Sequence, residues 1–239
     1  KNTIIAKTIL TNAPAATKLW YTRSDDSTDM LEVYDGKINP FDATIKTDNG
    51  HYYDETVGKI VIEFTSPSTT IKEFAFRETQ IETITLPEGL VTIEKGAFRN
   101  TPLTEITIPG SVNTVGIDVF WECSSLSEVT FLPSATKTPL HIGYLYGAYR
   151  YGPFYDSPLT SIDINRELIL VNDDGNNFTQ SEWWHGMFAN EYWDDVESVS
   201  IKIGPQVETL SNYMFNKLPI QTLTIPGTVK TIGNCVFDG

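Results

Sequence analysis

Four times in this chain a strand-ending position is followed eleven residues later by phenylalanine: Pro87→Phe98, Pro109→Phe120, Gly204→Phe215 and Pro226→Phe237. A fixed separation between a chain reversal and a large apolar residue means one closed path, repeated. The same side chain then fills the same slot in every layer. The fullest copy is Leu103–Ser125, which reads LTEITIPGSVNTVGIDVFWECSS, with apolar residues at Leu103, Ile106, Ile108, Val112, Val115, Val119 and Phe120. First positions at Ile81, Leu103, Leu126, Leu159, Val196 and Ile220 space the copies by 22, 23, 33, 37 and 24 residues. A chain of this kind is a stack of one supersecondary unit, in which each layer contacts only its neighbours.

Within each copy the β segments are ITL (84–86), ITI (106–108), VTF (129–131), IDI (162–164), VSI (199–201) and LTI (223–225). Each alternates apolar and polar, the pattern of a strand buried on one face. Pro87, Pro109, Pro133 and Pro226 follow the strands, where a missing N–H suits a turn but not a ladder. The outward positions Thr85, Thr107, Thr130, Asp163, Ser200 and Thr224 predict a largely hydroxyl-lined face. Two adjacent copies are longer: Pro133→Phe154 takes 21 residues and Asn165→Phe188 takes 23, which is 10 and 12 more than the regular 11. Insertions are therefore expected near 134–153 and 166–187, close together on neighbouring layers.

Residues 1–56 do not follow the template. Leu19–Thr22 (LWYT) and Leu31–Tyr34 (LEVY) are short β-prone runs separated by turn residues. A repeat stack leaves its first layer open, so this segment is expected to form an irregular N-terminal cap over repeats spanning 57–239. An apolar content of 40% is ample for a core. No run reaches the roughly 18–20 apolar residues of a membrane span, and Lys1 opens into no signal-peptide pattern. Seventeen basic against 31 acidic residues leave a charge of −14, which repels nucleic-acid backbones and anionic lipid.

The phrase L-x-x-I-x-I-P-x-x-V-x-x-I-G-x-x-A/V-F, continuing into Cys-Ser-Ser-Leu, appears as Leu103–Leu126, with Val115 at its Ile-Gly step, and recurs in Ile220–Phe237 (IQTLTIPGTVKTIGNCVF). It resembles the BspA-like leucine-rich repeat family over 57–239. That resemblance implies an α/β solenoid: a curved leucine-rich-repeat stack with a parallel β-sheet, mostly strand and loop with short helical turns. It also implies a bacterial cell-surface or secreted protein, working in adhesion or protein binding without catalytic residues or a cofactor. The last repeat stops at Gly239, where a Ser-Ser-Leu step would follow, so the natural chain is expected to continue.

Nothing in the residues themselves argues for catalysis or a metal. His51, His141 and His185 are scattered without ligand spacing. Cys123 and Cys235 lie four layers apart, about 20 Å at roughly 5 Å per layer, too far for a disulfide. In Asn172–Asn177 (NDDGNN) an EF-hand frame fails, because Leu170 and Ser181 fall at its first and twelfth positions. Glu105 and Glu128 lie on adjacent strands, but they belong to the solvated face rather than to an apolar pocket. The candidate contact residues are in the long copies: Tyr144, Tyr146, Tyr149, Arg150 and Tyr151, then Trp183, Trp184, Tyr192 and Trp193. Tyr, Trp and Arg dominate binding hot spots. A satellite core under the long loops is the competing use for these rings. The expected partner is a protein. The alternative is a glycan, with the Tyr/Trp-rich coils acting as a carbohydrate-binding module.

Overall fold

The computed structural model describes residues 16–29, 31, 41–143, 152–171, 186–188 and 198–238. The nine candidate aromatic and arginine residues above, and the Asn172–Asn177 segment, lie outside them. Among the described residues there are sixteen strands: β1 Lys18–Arg23, β2 His51–Asp54, β3 Lys59–Glu63, β4 Thr70–Ile71, β5 Ile81–Thr85, β6 Thr92–Ile93, β7 Glu105–Ile108 and β8 Thr114–Val115 in the first half. In the second half are β9 Glu128–Phe131, β10 Leu140–Gly143, β11 Ser161–Ile164, β12 Leu168–Val171, β13 Val199–Ile203, β14 Thr209–Leu210, β15 Ile220–Thr224 and β16 Thr231–Ile232. They build a β-solenoid. One parallel sheet runs β7-β9-β11-β13-β15, and a second runs β4-β6-β8-β10-β12, with β14-β16 as a separate parallel pair. Each coil gives one strand to each face, and Ile106, Ile108, Val112, Val115, Val119 and Phe120 of one coil all point into the shared core.

The expected α/β class and short helical turns are corrected: among the described residues there is no helix. The segments that carry the phenylalanines are corners, not helical turns. In the regular coils the residues two before and two after each Phe are left-handed, as at Phe74 and Glu78 around Phe76, and at Asp118 and Glu122 around Phe120 (φ 56°, 59°, 56° and 57°). A helix requires successive φ near −60° and cannot contain such residues. Each non-glycine left-handed residue costs about 1 kcal/mol, and the cost is offset by inter-coil hydrogen bonds. Phe76 N–H donates to Ala97 O at 2.8 Å, Phe98 N–H to Val119 O at 3.0 Å and Phe215 N–H to Val236 O at 3.0 Å.

The phenylalanines stack in one column through both regular and long coils. Ring centroids are 5.3 Å apart for Phe76–Phe98, 5.8 Å for Phe98–Phe120, 5.1 Å for Phe120–Phe154, 5.3 Å for Phe154–Phe188 and 6.1 Å for Phe188–Phe215. Three residues after the Phe, a small polar side chain caps a backbone carbonyl. Thr101 Oγ1 donates to Phe98 O at 2.8 Å, Ser157 Oγ to Phe120 O at 2.9 Å, and Cys123 Sγ lies 3.1 Å from Phe98 O. Cys123 is thus buried, with its thiol pushed up to about 11 by burial, while the other free cysteine, Cys235, is exposed. Gly116, at the end of β8, is required by a close approach: a Cβ there would lie 2.6 Å from Lys95 N.

The two long spans contain β10 and β12, which pair in the second sheet with His141 opposite Thr114 and Ile169. β10 and β12 end at Gly143 and Val171, and the described residues resume at Gly152 and Gly186. Coil four also lacks a full first turn, since only Asn165, Arg166 and Glu167 separate β11 from β12. Two side chains span the resulting gap. The buried Arg166 guanidinium donates to Gly110 O (3.0 Å), Val112 O (2.7 Å) and Thr138 O (2.6 Å). Gln206 mimics a backbone strand, with Oε1 accepting from Ser134 N–H and Nε2 donating to Ser134 O, both at 3.0 Å.

One expected β segment moves by two residues. Ile201 and Ile203, not Val199 and Ile201, stand opposite Ile162 and Ile164, and the pairing of β13 with β15 carries its own one-residue irregularity between Val199 and Ser200. A two-residue slip leaves every side chain on its original face, so alternation alone cannot detect it. Consequently Lys202 rather than Ser200 shares the outward slot of Asp163, and Lys202 Nζ pairs with its carboxylate at 2.9 Å.

At the N-terminal end the order is β2-β3-β1-β5, all antiparallel. β1 thus enters between β3 and β5, while in the second sheet β4 and β6 pair directly. Phe41 begins the aromatic column, 5.8 Å from Phe76. Leu19 and Tyr21 point inward and are buried. The Tyr21 hydroxyl accepts from Leu31 N–H at 3.0 Å, leaving its proton for His51 Nε2 at 2.8 Å. Burial lowers the His51 pKa from 6.5 to about 4. The neutral imidazole is therefore the folded form, so stability is full above pH 6.5 and declines as pH falls toward 4. Thermal unfolding should show this loss between pH 6.5 and about 5, above the carboxylate range. His51→Gln should flatten the dependence over that interval, and equal slopes in the two proteins would refute the assignment.

Candidate functional site

Alternation makes β1 two-faced. With Leu19 and Tyr21 in the core, Trp20 is directed to the outer face, between Val61 of β3 and Thr85 of β5 in the register. The outer positions then continue in two rows along the parallel sheet. One holds Glu105, Glu128, Ser161 and Ser200, and the other holds Thr107, Thr130, Asp163 and Lys202. Inward neighbours Ile106, Ile108, Val129 and Phe131 are buried, which fixes the outward side chains on a rigid base.

The turn between β2 and β3 lies beside this face, and together they form a groove of about 480 Å³. Its apolar lining comes from Trp20, Val57, Leu86, Pro109 and Leu132, and its polar lining includes Thr85, Thr107, Lys59, Glu88 and Glu105. Lys59 Nζ reaches Thr85 Oγ1 at 3.5 Å. Glu88, Glu105 and Glu128 are exposed, and Glu105 stands directly opposite Glu128, one strand away. The sequence reading missed this groove. Trp20 lies in the LWYT run, but its place beside β5 depends on an antiparallel insertion that no local pattern encodes.

On the corner face a second aromatic group is built around Trp121. The Arg99 guanidinium carbon is 5.0 Å from the Trp121 ring centroid, and Tyr155 packs against the same indole at 4.7 Å. Asp118 and Glu122 carboxylates lie 3.9 Å from the Arg99 nitrogens. Among the described residues no group of three or more His, Cys, Asp or Glu side chains is placed to hold a metal ion. No helix among them is long and apolar enough to cross a membrane.

The repeat profile of the BspA type leucine rich repeat region matches residues 48–142 and 188–239 in six copies. The chain belongs to that family. A solved structure, the crystal structure of the pneumococcal vaccine antigen PcpA, is similar at 18% identity and a TM-score of 0.36. The match covers 76% of this chain and 61% of that one, so this BspA-type chain spans less than two thirds of its solved relative. No curated protein matches it. The BspA-type phrase places Pro109, Gly116 and Phe120 at a turn, a close approach and the core column, so its marks are structural rather than chemical.

Like charges on adjacent strands repel. Glu128→Gln should therefore stabilise the fold by about 0.3 kcal/mol at low salt, measured by urea unfolding. The gain should vanish at about 0.5 M salt, where exposed charges are screened. A gain that persists at high salt would contradict the electrostatic origin.

Proposed function

We propose that this chain is a non-enzymatic, cell-surface or secreted repeat protein that holds a protein partner, and that it does so at the groove on the outer face of its first sheet. The observation that carries the reading is the groove itself, where a tryptophan and four aliphatic or proline surfaces are fixed on a rigid sheet beside carboxylates that have no ion-pair partner among the described residues. Interfaces concentrate their energy in such aromatic anchors surrounded by a polar rim. Family membership supports the surface placement, and the charge of −14 supports a solvated, extracytoplasmic existence. Residues 1–56 belong to this reading as the cap over repeats spanning 57–239, since β1 and Phe41 cover the first core layer.

Immobilised protein should capture one partner from host-cell or serum extracts. Thr107→Trp, which fills the groove from an exposed strand position, should abolish capture without moving the unfolding midpoint. Undiminished capture by this variant would contradict the site. Binding on a glycan array that Thr107→Trp leaves intact would contradict the protein-partner reading.

A further inference from the structure

We infer that the groove takes an extended, arginine-bearing peptide segment of its partner, with the guanidinium over Trp20 and between the carboxylates of Glu88 and Glu105; this rests on the groove reading above. Length is the first argument. The groove runs across the strands from Trp20 on β1, past Thr85 on β5 and Thr107 on β7, to Leu132 just after β9. Three strand steps are about 14 Å, which about four residues of extended chain cover.

Charge is the second argument. Glu88 and Glu105 have no ion-pair partner among the described residues, and Glu128 adds a third exposed carboxylate one strand further on. Lys59, the one basic group among the described residues lining the groove, is directed to Thr85 rather than to either carboxylate. A neutral sugar stacked on Trp20 would leave both carboxylates uncompensated. An arginine satisfies both and also stacks its planar face on an indole, which a lysine does less well.

Elsewhere in the molecule a tryptophan, an arginine and two carboxylates stand together. Arg99 lies over Trp121 at 5.0 Å with carboxylates of Asp118 and Glu122 at 3.9 Å on either side. At the groove the tryptophan and the two carboxylates come from this chain, and the cation is left for a partner to supply.

The test uses the whole chain and a fluorescent six-residue peptide with one central arginine, alongside its citrulline, lysine and glutamate counterparts. Peptide anisotropy should show binding of the arginine peptide in the range up to about 1 mM. Affinity should fall at least tenfold with citrulline and in the Glu88→Gln/Glu105→Gln variant, and be unchanged in the control Asp48→Asn/Asp238→Asn. The lysine peptide should bind more weakly than arginine. Equal binding of arginine and citrulline peptides, full binding by the Glu88→Gln/Glu105→Gln variant, or no binding by the native protein would each overturn the inference. If partner capture is lost in Thr107→Trp while arginine and citrulline peptides behave alike, the groove stands and its arginine specificity falls. A glycan that binds through Trp20 and is indifferent to Glu88→Gln/Glu105→Gln would overturn it in favour of sugar stacking.

Discussion

Each described coil is stacked on the next through a phenylalanine ring, and at Phe76, Phe98, Phe120 and Phe215 the same residue's N–H donates to the following coil. The two contacts serve different purposes. Burial of a phenylalanine contributes about 2–3 kcal/mol per coil and is indifferent to exact position. The hydrogen bond from Phe98 to Val119, and its equivalents, requires the corner to adopt left-handed residues on both sides of the ring. The ring column therefore stabilises the stack, and the backbone ladder sets its register. Because the corner is strained at Asp118 and Glu122 yet repeated, its geometry is imposed by neighbouring coils rather than by local preference.

That division explains how two irregular coils fit without breaking the column. Phe154 and Phe188 keep their places at 5.3 Å while the chain before each is lengthened. The shortened link between β11 and β12 removes the backbone that would fill one turn, and Arg166 and Gln206 replace it with side-chain donors and acceptors. Among the described residues Arg166 has no carboxylate partner; its charge is met by three carbonyl dipoles. Burial without an anion lowers its pKa from the usual arginine value, a cost accepted where three carbonyls would otherwise be left unpaired.

The coil path was legible in the sequence because Pro109→Phe120 and its counterparts measure a closed length, which local substitutions do not alter. Register was less legible: the Val199–Ile201 segment slips by two residues without changing faces. The corner conformation was not legible either, since Phe74, Glu78, Glu122 and Tyr213 are residue types with no preference for positive φ, and a helical turn fits the same apolar spacing. Nor did Arg166 stand out, because its role exists only where a turn is missing. For the candidate site, the outward threonines and Glu105 were readable from alternation. Trp20 was not, because β1 reaches β5 through pairing over sixty residues of chain, Trp20 with Thr85. The Tyr and Trp residues of the long coils drew attention by composition, which marks contact chemistry but not position.

The central claim is that coils are coupled through the ring column, layer to layer, and a double-mutant cycle tests it directly. Phe98→Leu and Phe120→Leu, whose rings stack at 5.8 Å, should couple by about 0.5–1.5 kcal/mol in denaturant unfolding. Phe98→Leu and Phe215→Leu, several coils apart, should be additive within about 0.5 kcal/mol. Additivity of the adjacent pair to that same margin would contradict the account.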